Sequence, residues 1–494
     1  MTPSISRRAG AAMGWQAAQF ACTQAIYFLR LLILARLLAP DDFGLLAIAT
    51  VALGVLLGLS ELGMVSAVVQ RPEVTEDHYD VAWTVGVLRG AAVAGCLALA
   101  APGVARLFGE PGAAPIVAAL ALRPAIEALA SIEIARLTKE LRFRELSAIR
   151  VPPAVVDIAV AVVLAPRFGV WALVAGAIAH AVATVILSYA VTPRRPRFLL
   201  RAEAAAGLLR YGRWVLLSGV VGLAASSTSQ AVISSVLGAA GLGVYFLAYK
   251  VAFFPSNVAG AVVGTVAFPL YAQDPKGESG ANVFRALLTG QAVVVLPAYA
   301  LVITLAPELE SVLGPRWAGT APVIRILAAT SAIGLFGESV LPLLMGRGRP
   351  NQVLVIESVQ SGVWLAGLWP LVHGLGVPGA AVAWLLGASA GQVIAYAYLR
   401  RAAARPLRGL AARLGAVTVA SIGGGGAAAL VVTAFGGVGG LVVSALTGGG
   451  AALLLLHGLD RRFDLGMMRA LRQRGATPDG APAEATDSIR AIGP

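Results

Sequence analysis

Charge is scarce in this chain: Asp, Glu, Lys and Arg make up only 13% of its 494 residues, about half the roughly 25% of a soluble domain. With 58% of residues hydrophobic, a soluble globular protein is excluded. Histidine is scarcer still. His78, His180, His373 and His457 are the full set, and they fall singly, so no His-rich metal or catalytic cluster is expected. Cys22 and Cys96 sit alone in separate apolar stretches without metal or redox spacing and read as small core residues. No Gly-x-x-x-x-Gly-Lys-Ser/Thr motif occurs, which disfavours an ATP-driven pump. Alternating apolar and polar residues are missing from the hydrophobic runs, which excludes a transmembrane β-barrel.

What the chain has is fourteen apolar stretches. They lie near residues 13–35, 43–66, 81–104, 113–135, 151–166, 169–191, 214–237, 243–272, 286–306, 319–345, 352–373, 377–399, 411–435 and 438–457, and about 20 apolar residues suffice for a helix to cross a bilayer. Basic residues fill every second gap. With the N-terminus inside, 29 of the 38 Lys and Arg fall in inner segments and only Arg36, Arg106, Arg167 and Arg316 in outer ones. By the positive-inside rule both termini are cytoplasmic, in the inner membrane. The net charge of +13 therefore reads as orientation and contact with anionic membrane lipids, with no nucleic-acid partner. The first span, with Gln16, Gln19, Gln24 and Arg30 and no small-residue cleavage site, reads as a permanent helix and not a signal peptide. Outer loops are short, the longest running from Ala306 to Ala318, which leaves no outer domain for an active site.

An internal repeat appears at an offset of 199 residues. Leu-Ala-Pro-Asp-Asp-Phe-Gly-Leu-Leu-Ala-Ile-Ala (38–49) faces Leu-Gly-Ala-Ala-Gly-Leu-Gly-Val-Tyr-Phe-Leu-Ala (237–248), with Gly44 over Gly243. Each segment is the outer turn between the first and second span of a six-span unit, and six is an even number. Spans 1–6 and 7–12 thus read as two similarly oriented bundles facing across a cleft. The expected division is an N-terminal bundle (1–192), a basic linker (193–213), a second bundle (214–400), two further spans (401–458) and a polar tail (459–494) that reads as largely disordered after Arg474.

Three segments carry a family resemblance. They are Ala-Arg-Leu-Leu-Ala-Pro-Asp-Asp-Phe-Gly-Leu-Leu-Ala-Ile-Ala (35–49), Arg-Phe-Arg-Glu-Leu (142–146) before a span ending Phe-Gly-Val-Trp-Ala-Leu-Val (168–174), and Leu-Gly-Pro-Arg-Trp-Ala-Gly-Thr-Ala-Pro-Val-Ile-Arg-Ile-Leu-Ala (313–328) followed by Gly-Arg-Pro-Asn (348–351). The chain resembles oligosaccharide flippases of the Wzx polysaccharide-transporter type, within the multidrug/oligosaccharidyl-lipid/polysaccharide exporter superfamily. The resemblance implies an all-α polytopic membrane protein of about fourteen transmembrane helices, two pseudo-symmetric six-helix bundles plus two C-terminal helices. It also implies a cavity lined by spans 1, 2, 7 and 8, and movement of a polyprenyl-diphosphate-linked oligosaccharide from the inner to the outer leaflet.

Charges inside the membrane are functional candidates by default, because burying them is costly. Arg30, Lys250 and Arg325 fall in the outer half, Arg123 near the middle, and Glu61, Arg89, Glu127, Asp157, Glu338 and Glu357 in the middle or inner half. A diphosphate entering hydrocarbon needs cations, and Arg offers it a two-pronged donor. Arg30 and Lys250, one per bundle, are the first candidates, with Arg123 beside them. Gln16, Gln19, Thr23, Tyr27 and Arg30 share one face of span 1 at offsets of 3, 4, 4 and 3. Ser226, Ser229 and Gln230 form an uncharged polar patch on span 7. These faces could bond sugar hydroxyls, or simply join packed helices. Glu61 and Arg89 read as a pair. Glu338, Glu61 and Asp157 are the ion-coupling candidates, leaving proton or sodium antiport open, with no other cofactor and no metal. The expected protein is a non-enzymatic, monomeric flippase working by alternating access among other polysaccharide-assembly proteins. The rivals are a multidrug exporter of the same superfamily and a membrane glycan polymerase or ligase.

Overall fold

The computed structural model describes residues 3–60, 75–140, 142–192, 194–199, 227–260, 280–346, 349–402 and 409–462. Helices α1 (Pro3–Leu37), α2 (Pro40–Leu59), α3 (Glu76–Leu107), α4 (Ala113–Leu120), α5 (Leu122–Ala128), α6 (Glu133–Lys139), α7 (Phe143–Phe168) and α8 (Val170–Val191) build the first bundle. The second contains α9 (Ser227–Gly260), α10 (Gly280–Leu313), α11 (Thr320–Gly346), α12 (Pro350–Leu375) and α13 (Val377–Ala402). Helices α14 (Leu410–Ala434) and α15 (Gly437–Arg462) pack against α10 on the second bundle.

Twelve of these helices are long and apolar enough to cross a membrane, and a thirteenth span is broken, its two halves α4–α5 and α6 meeting at 63°. Gly238, inside α9, has a φ of 70°, a left-handed value that cannot carry a right-handed helix through. The next amide, Ala239 N, donates to the Glu110 carboxylate at 2.6 Å, as the unpaired N–H of a helix start does. The chain therefore turns at Gly238, and α9 holds the outer part of span 7 and then span 8.

Two boundaries differ from the sequence reading. Span 4 is not one continuous helix over 113–135, and span 5 begins at Phe143, not near 151. The charged run before Val151 and Pro152–Pro153 reads as an end, yet the helix continues through both prolines. Asp157 accordingly lies about four turns from the inner end of α7, deeper than expected.

Carboxylates order the charge-poor end, the one that the positive-inside rule leads us to expect on the outer side. Asp42 accepts from Ala39 N and Val170 N, both at 3.0 Å, capping α2 and α8 together. Glu310 accepts from Gly319 N at 3.1 Å and Ala321 N at 2.5 Å at the start of α11. Such charge-assisted bonds satisfy helix-end N–H groups.

The two bundles meet at that same end. Trp317 Nε1 donates to Ala35 O at 2.5 Å, Arg36 to Val312 O at 2.8 Å, and Ser234 to Phe108 O at 2.9 Å. Phe43 meets the Trp317 ring edge-on at 5.3 Å. At the centre of this seam the repeat becomes physical. A Cβ on Gly44 would land on the Ala239 carbonyl oxygen, and one on Gly243 would land on the Pro40 carbonyl oxygen. Residue 239 is the 199-offset counterpart of 40, and 243 that of 44. The two contacts are one contact seen from both sides of a pseudo-two-fold axis. The two bundles are closed on each other along this seam.

At the other end, Arg194 pairs with Asp80 and Glu76, both at 2.9 Å, while Asp80 also accepts from Arg197 N at 3.2 Å and Thr84 Oγ1 accepts from Leu199 N at 2.9 Å. These bonds fasten the start of the basic linker to α3. Asp80 is 5% exposed, and breaking a buried pair by removing one partner costs about 3–5 kcal/mol. Arg194 is 23% exposed, so Arg194→Met is expected to cost about 2–3 kcal/mol after allowance for hydration. A lower thermal midpoint in detergent, read from tryptophan fluorescence, checks this; an unchanged midpoint contradicts it.

Candidate functional site

Beneath the outer seam lies a cavity of about 390 Å³. Its walls come from both bundles. Helix α1 supplies Gln24, Tyr27, Phe28, Arg30 and Leu31; α2 supplies Phe43, Leu46, Thr50 and Leu53; α4 and α5 supply Leu120 and Arg123; α7 supplies Asp157; and α8 supplies Leu173, Ala177 and His180. The second bundle contributes Phe246, Lys250, Phe254 and Asn257 from the second arm of α9. The α1 residues sit at spacings of 3 and 4, one helical face, and the α9 residues continue at 4, 4 and 3.

Three cations converge here. Arg30 lies seven residues, or ~10 Å, below the outer end of α1, and its Nε reaches Asp157 Oδ1 at 3.1 Å. Gly176 makes room for that carboxylate, since a Cβ there would collide with Asp157 Oδ1. Arg123 Nε donates to Glu127 Oε1 at 2.8 Å, one turn along the same helix. Lys250 Nζ sits 5.3 Å from the centre of the Phe246 ring, a cation–π contact, and no carboxylate pairs with it among the described residues. Between the arginines, Tyr27 Oη meets His180 Nε2 at 3.1 Å, and His180 Nδ1 lies 3.9 Å from Glu127 Oε1. Each acid in the cluster already holds an arginine, so Lys250 and any arginine released from its partner are available to an anion.

The other expected residues lie elsewhere. Thr23 donates back to Gln19 O at 2.9 Å, and Gln19 Oε1 is buried without a partner; neither lines the cavity. The side chain of Gln16 and all of Ser226 and Glu61 lie outside the described residues, and with Glu61 goes the expected pair to Arg89. Among the described residues, Arg89 donates to Ser60 Oγ at 3.2 Å and Leu57 O at 3.3 Å. Ser229 is buried, and Gln230 Oε1 is buried without a partner. Arg325 donates to Ile303 O at 3.1 Å, a bond between neighbouring helices. Glu338 is absent from the cavity wall. Sequence reasoning passed over Gln24, Phe28, Phe254, Asn257 and His180. The first two follow from stepping 3 and 4 back from Leu31, whereas His180, a lone histidine in an apolar span, carried no signal.

This chain is similar over most of its length to proteins of polysaccharide assembly. It is 27% identical over 358 residues to the succinoglycan biosynthesis transport protein ExoT of Rhizobium meliloti, covering 71% of this chain and 72% of that one. It is 24% identical to the lipopolysaccharide biosynthesis protein WzxC of Escherichia coli, covering 68% and 69%. Among solved structures, the lipid II flippase MurJ in an inward closed conformation superposes with a TM-score of 0.66 at 10% identity, over 89% of this chain and 97% of that one. An inward-facing multidrug transporter of the MATE family gives 0.61 at 17% identity, over 78% and 96%. These likenesses show the fold alone, a polytopic bundle of helices. The model of the family described as "Polysaccharide biosynthesis protein" matches residues 33–322, more than half of the chain, and the chain belongs to that family.

Proposed function

We propose that the protein moves an oligosaccharide linked to polyprenyl diphosphate from the inner to the outer leaflet of the cytoplasmic membrane. It works by alternating access as a single chain, with both termini cytoplasmic and no covalent chemistry. The observation that carries this reading is the convergence of Arg30, Arg123 and Lys250 on one cavity walled by both bundles. Cations in a low-dielectric site are costly unless they meet an anion, and a diphosphate is the anion the expected lipid carrier brings. A multidrug exporter taking cationic compounds would call for the opposite polarity. The names of the relatives, transport and biosynthesis proteins for succinoglycan and lipopolysaccharide, support the glycan class.

In this reading the outer seam holds the cavity closed to the outside while substrate enters from within. Loading replaces Asp157 as the partner of Arg30. Opening the seam then exposes the diphosphate to the other side, and Asp157 takes Arg30 back as the substrate leaves. Of the two ion-coupling candidates among the described residues, Glu338 and Asp157, the pairing of Asp157 with Arg30 in the cavity wall supports Asp157.

Removing that competitor has a defined outcome. Asp157→Asn is expected to bind polyprenyl diphosphate about tenfold tighter, the size of one charged hydrogen bond, and to flip it more slowly because release loses its displacing group. Binding and single-turnover flipping measured on the same vesicles check both. Unchanged affinity and rate contradict the exchange.

A further inference from the structure

The cavity wall is layered, and the layers repeat on its two opposed helices. Along α1 from the outer end inward come Arg30, then Phe28, then Gln24; along the second arm of α9, running the other way, come Lys250, then Phe254, then Asn257. Each helix thus presents a cation, an aromatic ring and an amide in the same order, over six residues on one and seven on the other, ~9–10 Å of rise. Phe28 and Phe254 touch across the boundary between the bundles, with ring centroids 4.3 Å apart and planes 30° apart. Both are only partly buried.

We propose that Phe28 and Phe254 form the binding platform for the sugar bonded directly to the diphosphate, with Gln24 and Asn257 bonding its hydroxyls. This deepens the reading of Arg30 and Lys250 as the diphosphate site and rests on it. The chemical order of the substrate is diphosphate, first sugar, further sugars, and the wall offers cations, rings and amides in that order. A pyranose has apolar C–H faces and a polar rim. Aromatic rings suit the faces, and side-chain amides, with two donors and two acceptor lone pairs, suit the rim. The two rings lie against each other, and a sugar entering between the bundles would part them. About 390 Å³ lies at the small end of the ~300–1,000 Å³ of small-molecule sites. It accommodates the diphosphate and its first sugar, and leaves the rest of a repeat unit toward the inner mouth. The first sugar then sets recognition while the distal glycan is tolerated.

The test uses the full chain in vesicles with two probes, polyprenyl diphosphate and polyprenyl diphosphate carrying one hexose. In the wild type the hexose is expected to strengthen binding by about five- to tenfold, the scale of one aromatic pairing. Phe28→Leu with Phe254→Leu, which keeps apolar volume and removes the ring faces, should abolish that increment and leave the bare probe bound within about twofold. Phe254→Trp on the wild-type background should retain it. An increment that survives the double leucine variant overturns the platform. Equal loss of both probes overturns it as well, since the rings would then act on packing alone. A wild type that binds neither probe overturns the diphosphate reading itself, an outcome distinct from the other two.

Discussion

Replacing Arg30 and Lys250 together with glutamine is expected to abolish flipping, by ~100-fold or more, while the protein still inserts in the membrane, its thermal midpoint lowered by the stranded Asp157. The size follows from two charge-assisted hydrogen bonds, each worth about 1.5–3 kcal/mol, lost from a site where water does not compensate. Lys250 has no carboxylate partner among the described residues, so its removal strands none of the described acids. Arg30 does leave Asp157 alone, and Arg30→Gln with Asp157→Asn separates loss of cation from stranding of the acid. That pair should fold as the wild type and bind diphosphate poorly. Normal flipping by the Arg30–Lys250 double variant sinks the assignment of the cations to substrate.

The second large effect belongs to the seam. Gly44→Ala with Gly243→Ala puts a methyl group onto a facing backbone carbonyl on each side of the pseudo-two-fold axis. Backbone cannot step aside as a flexible side chain does, and overpacking costs about 1–3 kcal/mol per site. The combined ~2–6 kcal/mol falls on the outward-closed arrangement alone. Moving a two-state population from one extreme to the other takes ~5.5 kcal/mol, so the double variant should rest with its outer side open. Spin labels at exposed Arg106 and Arg316, one on each bundle, report this after the exposed Cys22 and Cys96 are changed to alanine. The wild type should give a short distance and the double variant a longer one, with flipping lost. An unchanged distance distribution would show that the seam does not set the state.

How far this was legible in the sequence depends on whether the signal was local. The spans follow from runs of apolar residues, and the two bundles from Gly44 and Gly243 at matching places in each repeat. The reason for those glycines was not visible, because each meets a backbone carbonyl about 200 residues away in the chain, Gly44 that of Ala239 and Gly243 that of Pro40. Arg30 and Lys250 stood out as charges in hydrocarbon. Their surroundings did not: Asp157 reaches Arg30 across 127 residues of chain, and its depth was misjudged because Pro152 and Pro153 look like a helix start. Of the polar stripe of span 1, Tyr27 and Arg30 meet the cavity. Thr23 satisfies itself on Gln19 O, while Gln24 and Phe28, on the adjacent face, meet the cavity. Periodicity identifies a helical face but not which neighbour it meets.

The most direct test of the account follows the leaflet location of a fluorescent polyprenyl-diphosphate oligosaccharide in vesicles holding the purified protein, read with a membrane-impermeant quencher. The account predicts protein-dependent movement between leaflets, absent in the Arg30–Lys250 double variant. No movement of this lipid, together with export of a cationic dye by the same vesicles, would contradict it and assign the cavity to drug export.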